Sequence, residues 1–421
     1  MNFEMMKILV VGKGGREHAI VTALHESPPQ TEIYSFPGSD AIFELAKETT
    51  ATDLATLIAF MKREKIDLCV AGEESYLVKD EGLAKACKEV GIPCWGPPKE
   101  AAQLEASKEF AKQFMVRHGI PTGAYAAVDT LEAAREAIGG KYPTVLKFDG
   151  LAAGKGVAVC GDEAMAEEFL AEVFSERKFG EGRVLVEEFL EGPEISVFCS
   201  VVDERYHILA PARDYKRIGD GDVGPNTGGM GAVCSREMAE PELMARIDRE
   251  IVRPTVEGLV TDDLPYRGFL YFGIMLTPEG PKILEYNCRF GDPEAQAVLP
   301  LIEGDFASYV FQGASGYLDR SQIKFQTGWS VCLVSASAGY PASSRSGDVI
   351  SGLENVEDAR VFHAGTKKND QGQYETAGGR VLAVVAAGET REEAVEKVYR
   401  ESDKITFDGM QRRTDIGVRN F

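Results

Sequence analysis

Along the first hundred residues, short apolar runs alternate with amphipathic stretches. "KILVVGKG" (Lys7 to Gly14) is an apolar run ending in glycine, and a helical pattern follows from Arg16 to Leu24. "EIYSFPG" reads as a second strand. Asp53 to Arg63 reads as a helix capped by Thr52 or Asp53. "IDLCVAG" gives a third strand, then a helix, then "GIPCWGP". Strand and helix in alternation predict a parallel sheet with helices on its faces. "GPPKE" (Gly96 to Glu100) marks a domain boundary.

The pattern then changes. A helix is expected from Ala101 to His118, followed by a strand-rich segment from about Tyr142 to Val201 with one helix inside it, Glu163 to Phe174. A Gly-dense polar loop covers Gly219 to Ala232, and loops this long within a compact domain are usually functional. A helix from Pro241 to Leu259 and two strands, "GFLYFGIML" and "PKILEYN", come next. From about Gln326 a new β-rich unit begins. The fold class is α/β, divided as 1–102, 103–325 and 326–421.

Composition narrows the class of function. A chain of 421 residues with 44% apolar content forms several globular cores. Its formal charge of −21 argues against nucleic acid and anionic lipid as partners, while leaving room for anionic small substrates at a locally positive site. No apolar run is long enough to cross a membrane, and the N-terminus lacks the apolar core of a signal peptide. The eight cysteines include no C-x-x-C pair, so small core residues in a reducing cytoplasm are expected.

Four stretches carry candidate chemistry. "GKGGREHA" (Gly12 to Ala19) follows a strand and opens a helix, a place suited to phosphate. It is not a dinucleotide fingerprint, because Glu17 stands at the last glycine position and no acidic residue ends the second strand. "VLKFDGLAAGKGVAV" carries Lys147 and Lys155 around a Gly-rich bend but lacks the spacing of a nucleotide P-loop. By itself it suits either a flap over phosphates or a surface hairpin with solvated lysines. In "VEEFLEGPEISV", Glu187, Glu188 and Glu194 flank Phe189 and Leu190, which suits either a flat ring and a ribose or an ordinary hairpin with solvent-facing acids. "KILEYNCRFGDPEAQ" puts Glu285 and Asn287 on one side of a strand, as oxygen ligands suited to Mg²⁺. Arg289, Asp292 and Glu294 follow, charges that are costly to bury unless paired. The five histidines are isolated; His18, after the glycine loop, is the one placed to line that site.

Taken in order, these runs resemble the ATP-grasp ligases, and within them the glycinamide ribonucleotide synthetases. The resemblance extends from about Lys7 to Phe421 through "GGREHA", "QLEASKEFAKQFM", "KFDGLAAGKGV", "GDGDVGPNTGGMGA", "GFLYFGIM", "EYNCRFGDPEAQ", "FHAGT", "GGRVL" and "DGMQRRTDIG". It implies an ATP-grasp centre with a lid at about 122–190, between an N-terminal phosphoribosylamine-binding domain and a small β-rich C-terminal one. It implies the joining of glycine to 5-phosphoribosylamine with ATP, through a glycyl phosphate, by a monomer using Mg²⁺ or Mn²⁺. An ATP-grasp ligase joining a different carboxylate and amine is the alternative.

By the same resemblance, Lys108, Lys147 and Lys155 face ATP phosphates. Glu187, Glu188, Phe189 and Leu190 hold adenine, and Glu194 holds the ribose. Glu285 and Asn287 bind the metal. Lys147, Arg289 and Asp292 are the catalytic set. Gly12, Gly14, Gly15, Arg16 and Glu17 hold the phosphoribosylamine phosphate. Glu74, Asp214, Lys216, Asn226, Thr227, Arg289, Gly291, Asp292, Pro293 and Glu294 surround the substrates. The chain departs from the family at Lys13, Ser39, Glu73 and Tyr215, three of these in the phosphoribosylamine half.

Overall fold

The computed structural model describes residues 5–28, 30–152 and 156–418. It opens with a parallel sheet of β1 (Met6–Gly12), β2 (Thr31–Pro37), β3 (Lys47–Glu48), β4 (Leu68–Ala71) and β5 (Cys94–Trp95), in the order β3-β2-β1-β4-β5. Helices α1 (Gly15–His25), α2 (Leu54–Glu64), α3 (Ser75–Val78) and α4 (Leu83–Glu89) connect them. From Ile8 to Val11 strand β1 is apolar and buried, as a strand covered on both faces requires. Ile8 and Val10 enter one core with Ala19, Ile20 and Leu24 of α1, and Leu9 and Val11 enter another with Leu57, Phe60 and Met61 of α2. Asp53 caps α2, its carboxylate accepting from Thr56 N at 2.8 Å.

The helix expected from Ala101 to His118 is two helices. α5 (Gln103–Ala106) stops at Ser107, whose extended backbone (φ −126°) and hydroxyl cap α6 (Lys108–Arg117). Asp149 accepts from the Lys108 and Glu109 amides at 2.6 and 3.3 Å, so its carboxylate sits on the free N–H groups of the new helix.

A second, antiparallel sheet contains β6 (Tyr125–Val128), β7 (Thr144–Phe148), β8 (Val157–Cys160) and β9 (Val184–Glu188), ordered β6-β9-β7-β8. Helices α7 (Leu131–Ile138) and α8 (Glu163–Leu170) cover it, with Ala134, Ile138, Phe169 and Leu170 packed on Leu146, Phe148 and Val186. β9 does not form a hairpin with the strand after it. β10 (Glu194–Val202) belongs to a third sheet, so the "FLEGP" turn links two layers.

That third sheet has eight strands. After β10 come β11 (Arg205–Asp214), the small ribbon β12 (Arg217–Gly219) with β13 (Val223–Asn226), and β14 (Gly231–Cys234). Helices α9 (Pro241–Ile247) and α10 (Arg253–Thr261), joined by a π turn, precede β15 (Arg267–Thr277) and β16 (Gly280–Asn287). α11 (Glu294–Val298), β17 (Ile302–Gly304), α12 (Phe306–Ala314) and β18 (Ile323–Phe325) follow. Last come β19 (Trp329–Ala336), β20 (Arg360–His363), the ribbon β21 (Thr366–Lys368) with β22 (Tyr374–Thr376), β23 (Arg380–Gly388) and α13 (Arg391–Ser402). The order is β16-β15-β10-β11-β14-β19-β23-β20. The β-rich unit from Gln326 thus continues the central sheet, through β14 pairing with β19 from Gly231–Leu333 to Cys234–Ser330. α13 closes a separate apolar cluster with Val381, Val384, Ala394 and Val398.

Candidate active site

Strand β16 delivers Glu285 and Asn287, which are half-buried and on one face. With its amide oriented to satisfy both neighbours, Asn287 Nδ2 donates to Tyr286 O and Glu105 Oε1, each at 3.1 Å, which turns Oδ1 the other way. Glu285 makes no ion pair among the described residues; burial lowers the nearby Lys108 ammonium below its ordinary range, and the charge of Glu285 only partly offsets this. A half-buried carboxylate without a protein partner, beside an amide held by its nitrogen, is a donor set suited to a hard divalent cation.

Beyond β16 the chain runs into a buried network. Arg289 Nε donates to Glu74 Oε2 at 2.9 Å, Nη2 lies 2.6 Å from Glu105 Oε1, and Nη1 donates to Phe290 O at 3.0 Å. Arg16 reaches the same groups from the other side, with Nη2 3.5 Å from Glu74 and Nη1 donating to Phe290 O at 3.2 Å. Burial alone would raise the Glu74 carboxyl, but Arg289 and Arg16 pull it down to about 2. Glu105 is pushed the other way, up to about 7, by burial that outweighs Arg289.

Asp292 accepts from Arg16 N at 3.3 Å and from Gln296 Nε2 at 3.0 Å, and it pairs with Arg380 at 3.2 Å. Arg380 Nη1 also donates to the carbonyls of Gly228 (2.6 Å) and Asp292 (2.7 Å), so β23 ties the Gly-rich loop to the turn before α11. Gly291 leaves no room for a side chain, since a Cβ there would lie 2.3 Å from Glu294 Oε2. Glu294 is buried, and its carboxyl is pushed up to about 7 by burial and by Asp214; Ser196 Oγ donates to it at 3.3 Å. Pro293 precedes α11 and packs against Gly229.

A second group of cations lies beside the same strand, β16. Lys147 on β7 is only 6% exposed; it donates to Leu284 O at 3.0 Å and lies 3.1 Å from Glu187 Oε2. Lys112 lies 2.8 Å from the same oxygen. Burial would raise Glu187, but Lys147 and Lys112 lower it, and its Oε1 has no partner. Lys108 Nζ donates to Gly150 O at 2.9 Å. Lys216 bridges Glu194 and Asp214, the latter at 3.0 Å, and these two acids outweigh burial and raise it well above the usual lysine range. Leu190 is buried, Phe189 half-buried, and Glu188 exposed, accepting from Ala124 N at 3.1 Å. Lys155 lies outside the described residues.

The glycine loop is shaped around Glu17. Gly12 has φ +136°, and a Cβ on it would sit 2.3 Å from Glu17 Cγ. Gly14 N donates to Glu17 Oε2 at 2.7 Å, while Gly15 abuts the Gln296 amide. Carboxylates of Glu17 and Asp292 therefore already sit on the first turn of α1. His18 turns away from the loop, its Nδ1 accepting from His363 N at 2.9 Å, and burial lowers it to about 4. Asn226 pairs across the ribbon with Arg217, and Thr227 Oγ1 donates to Lys216 O at 2.8 Å, which braces the loop.

Three family models tile the chain. The Phosphoribosylglycinamide synthetase N domain matches residues 6–105, its ATP-grasp (A) domain 106–295 and its C domain 330–419. The chain belongs to the phosphoribosylglycinamide synthetase family. It is 42% identical to a phosphoribosylamine–glycine ligase of Caldanaerobacter subterraneus subsp. tengcongensis, over 98% of this chain and 100% of that one. It is also 42% identical to one of Vibrio parahaemolyticus, over 98% of each. The crystal structure of the phosphoribosylamine–glycine ligase of Thermotoga maritima superposes with a TM-score of 0.85 at 35% identity, covering 98% of this chain and 100% of that chain. A biotin carboxylase domain from Hydrogenobacter thermophilus shares the fold, with a TM-score of 0.72 at 19% identity over 97% of this chain and 92% of that chain.

The synthetase fold gathers residues that motif reading did not single out. Glu105, Lys112, Asp149 and Arg380 all pair with expected site residues or their neighbours. All four lie inside the runs that carry the family resemblance, Glu105 and Lys112 in "QLEASKEFAKQFM", Asp149 in "KFDGLAAGKGV" and Arg380 in "GGRVL", as charges beside apolar positions; that was the available signal. The departures from the synthetase pattern are placed as follows. Lys13 is exposed, Glu73 accepts from Ser75 Oγ at 2.7 Å, Ser39 Oγ is buried without a partner, and Tyr215 accepts from Gly417 N at 3.1 Å. A cavity of about 320 Å³ lined by Thr22, Glu26, Phe306 and Arg360 shares no residue with this charged cluster.

Proposed function

We propose that the protein joins glycine to 5-phosphoribosylamine at the expense of ATP, giving glycinamide ribonucleotide, ADP and phosphate in purine biosynthesis. The observation that carries the reading is the match of all three synthetase domains, in order, over nearly the whole chain. The chemistry of the cleft agrees. A carboxylate and a triphosphate repel, so a ligase of this kind must collect both with fixed cations and hold them in line. Lys147 and Lys108 are the cations on the triphosphate side, and Lys155, outside the described residues, is assigned the same role from the sequence. Glu187 to Leu190 form the adenine wall, and Glu194 receives the ribose. Glu285 and Asn287 are the residues that would hold Mg²⁺ or Mn²⁺, which supplies charge neutralisation between phosphate oxygens when bound.

Arg289, clamped by Glu74 and Glu105, is the fixed guanidinium for the glycine carboxylate. That carboxylate attacks the γ-phosphorus, ADP leaves, and the amine then displaces phosphate from the glycyl carbon. Asp292 and the turn from Gly291 to Glu294 border the reacting carbon. Asp214, Lys216, Asn226 and Thr227 form the loop that closes over it. The amine substrate docks its phosphate beside Gly12, Gly14, Gly15 and Arg16. Glu17 and Asp292 occupy the first amides of α1, so Arg16 and Lys13 supply the positive charge there. One chain builds the whole cleft, which supports a monomer, and eight free cysteines support a reducing cytoplasm.

The test is product detection. Purified protein with ATP, Mg²⁺, glycine and freshly generated phosphoribosylamine is expected to yield glycinamide ribonucleotide by mass spectrometry. ATP binding without that product would overturn the assignment of the amine or acid.

A further inference from the structure

Three of the eight cysteines, which look scattered in the sequence, converge in the N-terminal sheet. Cys69 on β4 and Cys94 on β5 are register partners on adjacent parallel strands, so their side chains leave the same face of the sheet. Cys87 comes from α4, which packs on that face. The three sulfur atoms lie within 4.8 Å of one another, the one such group of potential ligands among the described residues. None is in a disulfide. Cys69 and Cys87 are fully buried, and Cys94 is half-buried.

We propose that Cys69, Cys87 and Cys94 form a trithiolate site for a soft d¹⁰ cation of the Zn(II) or Cu(I) class. Metal–sulfur bonds of about 2.3 Å require sulfur separations of about 4 Å, within the observed limit. Three thiolates without a carboxylate or imidazole exclude hard cations and favour soft ones. Cu(I) is satisfied by three sulfurs, and Zn(II) takes a water as its fourth ligand. The site is separate from the catalytic cleft. It fastens β4, β5 and α4 to one another, and β4 is the strand that leads into Gly72 to Glu74.

The test uses the full, reduced, metal-free chain titrated with Cd²⁺, read by the thiolate-to-cadmium ultraviolet band. Zn²⁺ and Cu⁺ are then added as competitors. One equivalent is expected, with displacement by Zn²⁺ or Cu⁺ and a cation-dependent rise in thermal midpoint. The band and the rise should vanish in Cys94→Ser, whose side chain is half-buried, and in Cys87→Ala. Cys160→Ala should keep both. Absence of a stoichiometric band in the wild-type chain, or a band that survives Cys94→Ser, would overturn the proposal and leave the three thiols as core packing.

Discussion

The two walls of the candidate site are built differently. On one, Lys147 and Glu187 lie on neighbouring strands of one sheet and meet through ordinary antiparallel pairing, with Lys112 added from α6. On the other wall, Arg16, Glu74, Glu105, Arg289, Asp292 and Arg380 come from five separate elements or turns and meet only in the finished fold. The first wall can keep its geometry while one charge is removed. The second is a closed set of buried ions, in which each removal leaves another charge unpaired.

The largest effect should come from the wall that carries Lys147. Lys147→Ala removes a fixed cation but leaves Glu187 paired with Lys112, so the fold should persist. ADP release should fall by orders of magnitude while circular dichroism stays unchanged. Near-wild-type turnover would show that Lys147 takes no part in handling the phosphates. Next is Glu105→Gln, which keeps the shape of the side chain but weakens its hold on Arg289 and Asn287. A loss of about 10–100-fold in apparent Mg²⁺ affinity is expected, read by metal titration of the ADP-release rate. An unchanged metal dependence would break the link between the two walls.

Gly12→Ala tests the loop around Glu17. The added Cβ meets Glu17 Cγ at 2.3 Å in a backbone conformation that favours glycine, so a destabilisation of about 1–3 kcal/mol is expected in chemical denaturation. The smallest effect is confined to acid. Glu74 is held at about 2 when folded against 4.5 for the free side chain. Its contribution is therefore fully present above pH 4.5 and is lost as pH falls from there toward 2. Glu74→Gln should flatten that part of the stability profile; an unchanged acid limb would show that the ion cluster contributes nothing to folding.

This contrast also explains what could be read from the sequence. The parallel N-terminal sheet was legible because β1 is apolar on both faces. The Glu285 and Asn287 pair was legible because alternation along a strand fixes a common side. The break at Ser107 was not, because it depends on Asp149 reaching the α6 amides from 40 residues away. Nor was the continuity of the central sheet into residues 329–388, since strand partners are chosen by the whole fold rather than by local pattern. Glu105 and Lys112 were missed for the same reason: a lone charge in a helical pattern reads as solvated until its partner is known. His18 shows the reverse error. Its position after the glycine loop suggested the site, but the helix turns it onto β20.

The account stands or falls on coupled turnover. ADP release should be measured with glycine alone, with phosphoribosylamine alone and with both, in the wild-type chain and in Glu285→Ala. The prediction is sustained release only when both substrates are present, and its loss in Glu285→Ala. Release that ignores either substrate, or that persists in Glu285→Ala, would contradict the assignment of this cleft as the ligase centre.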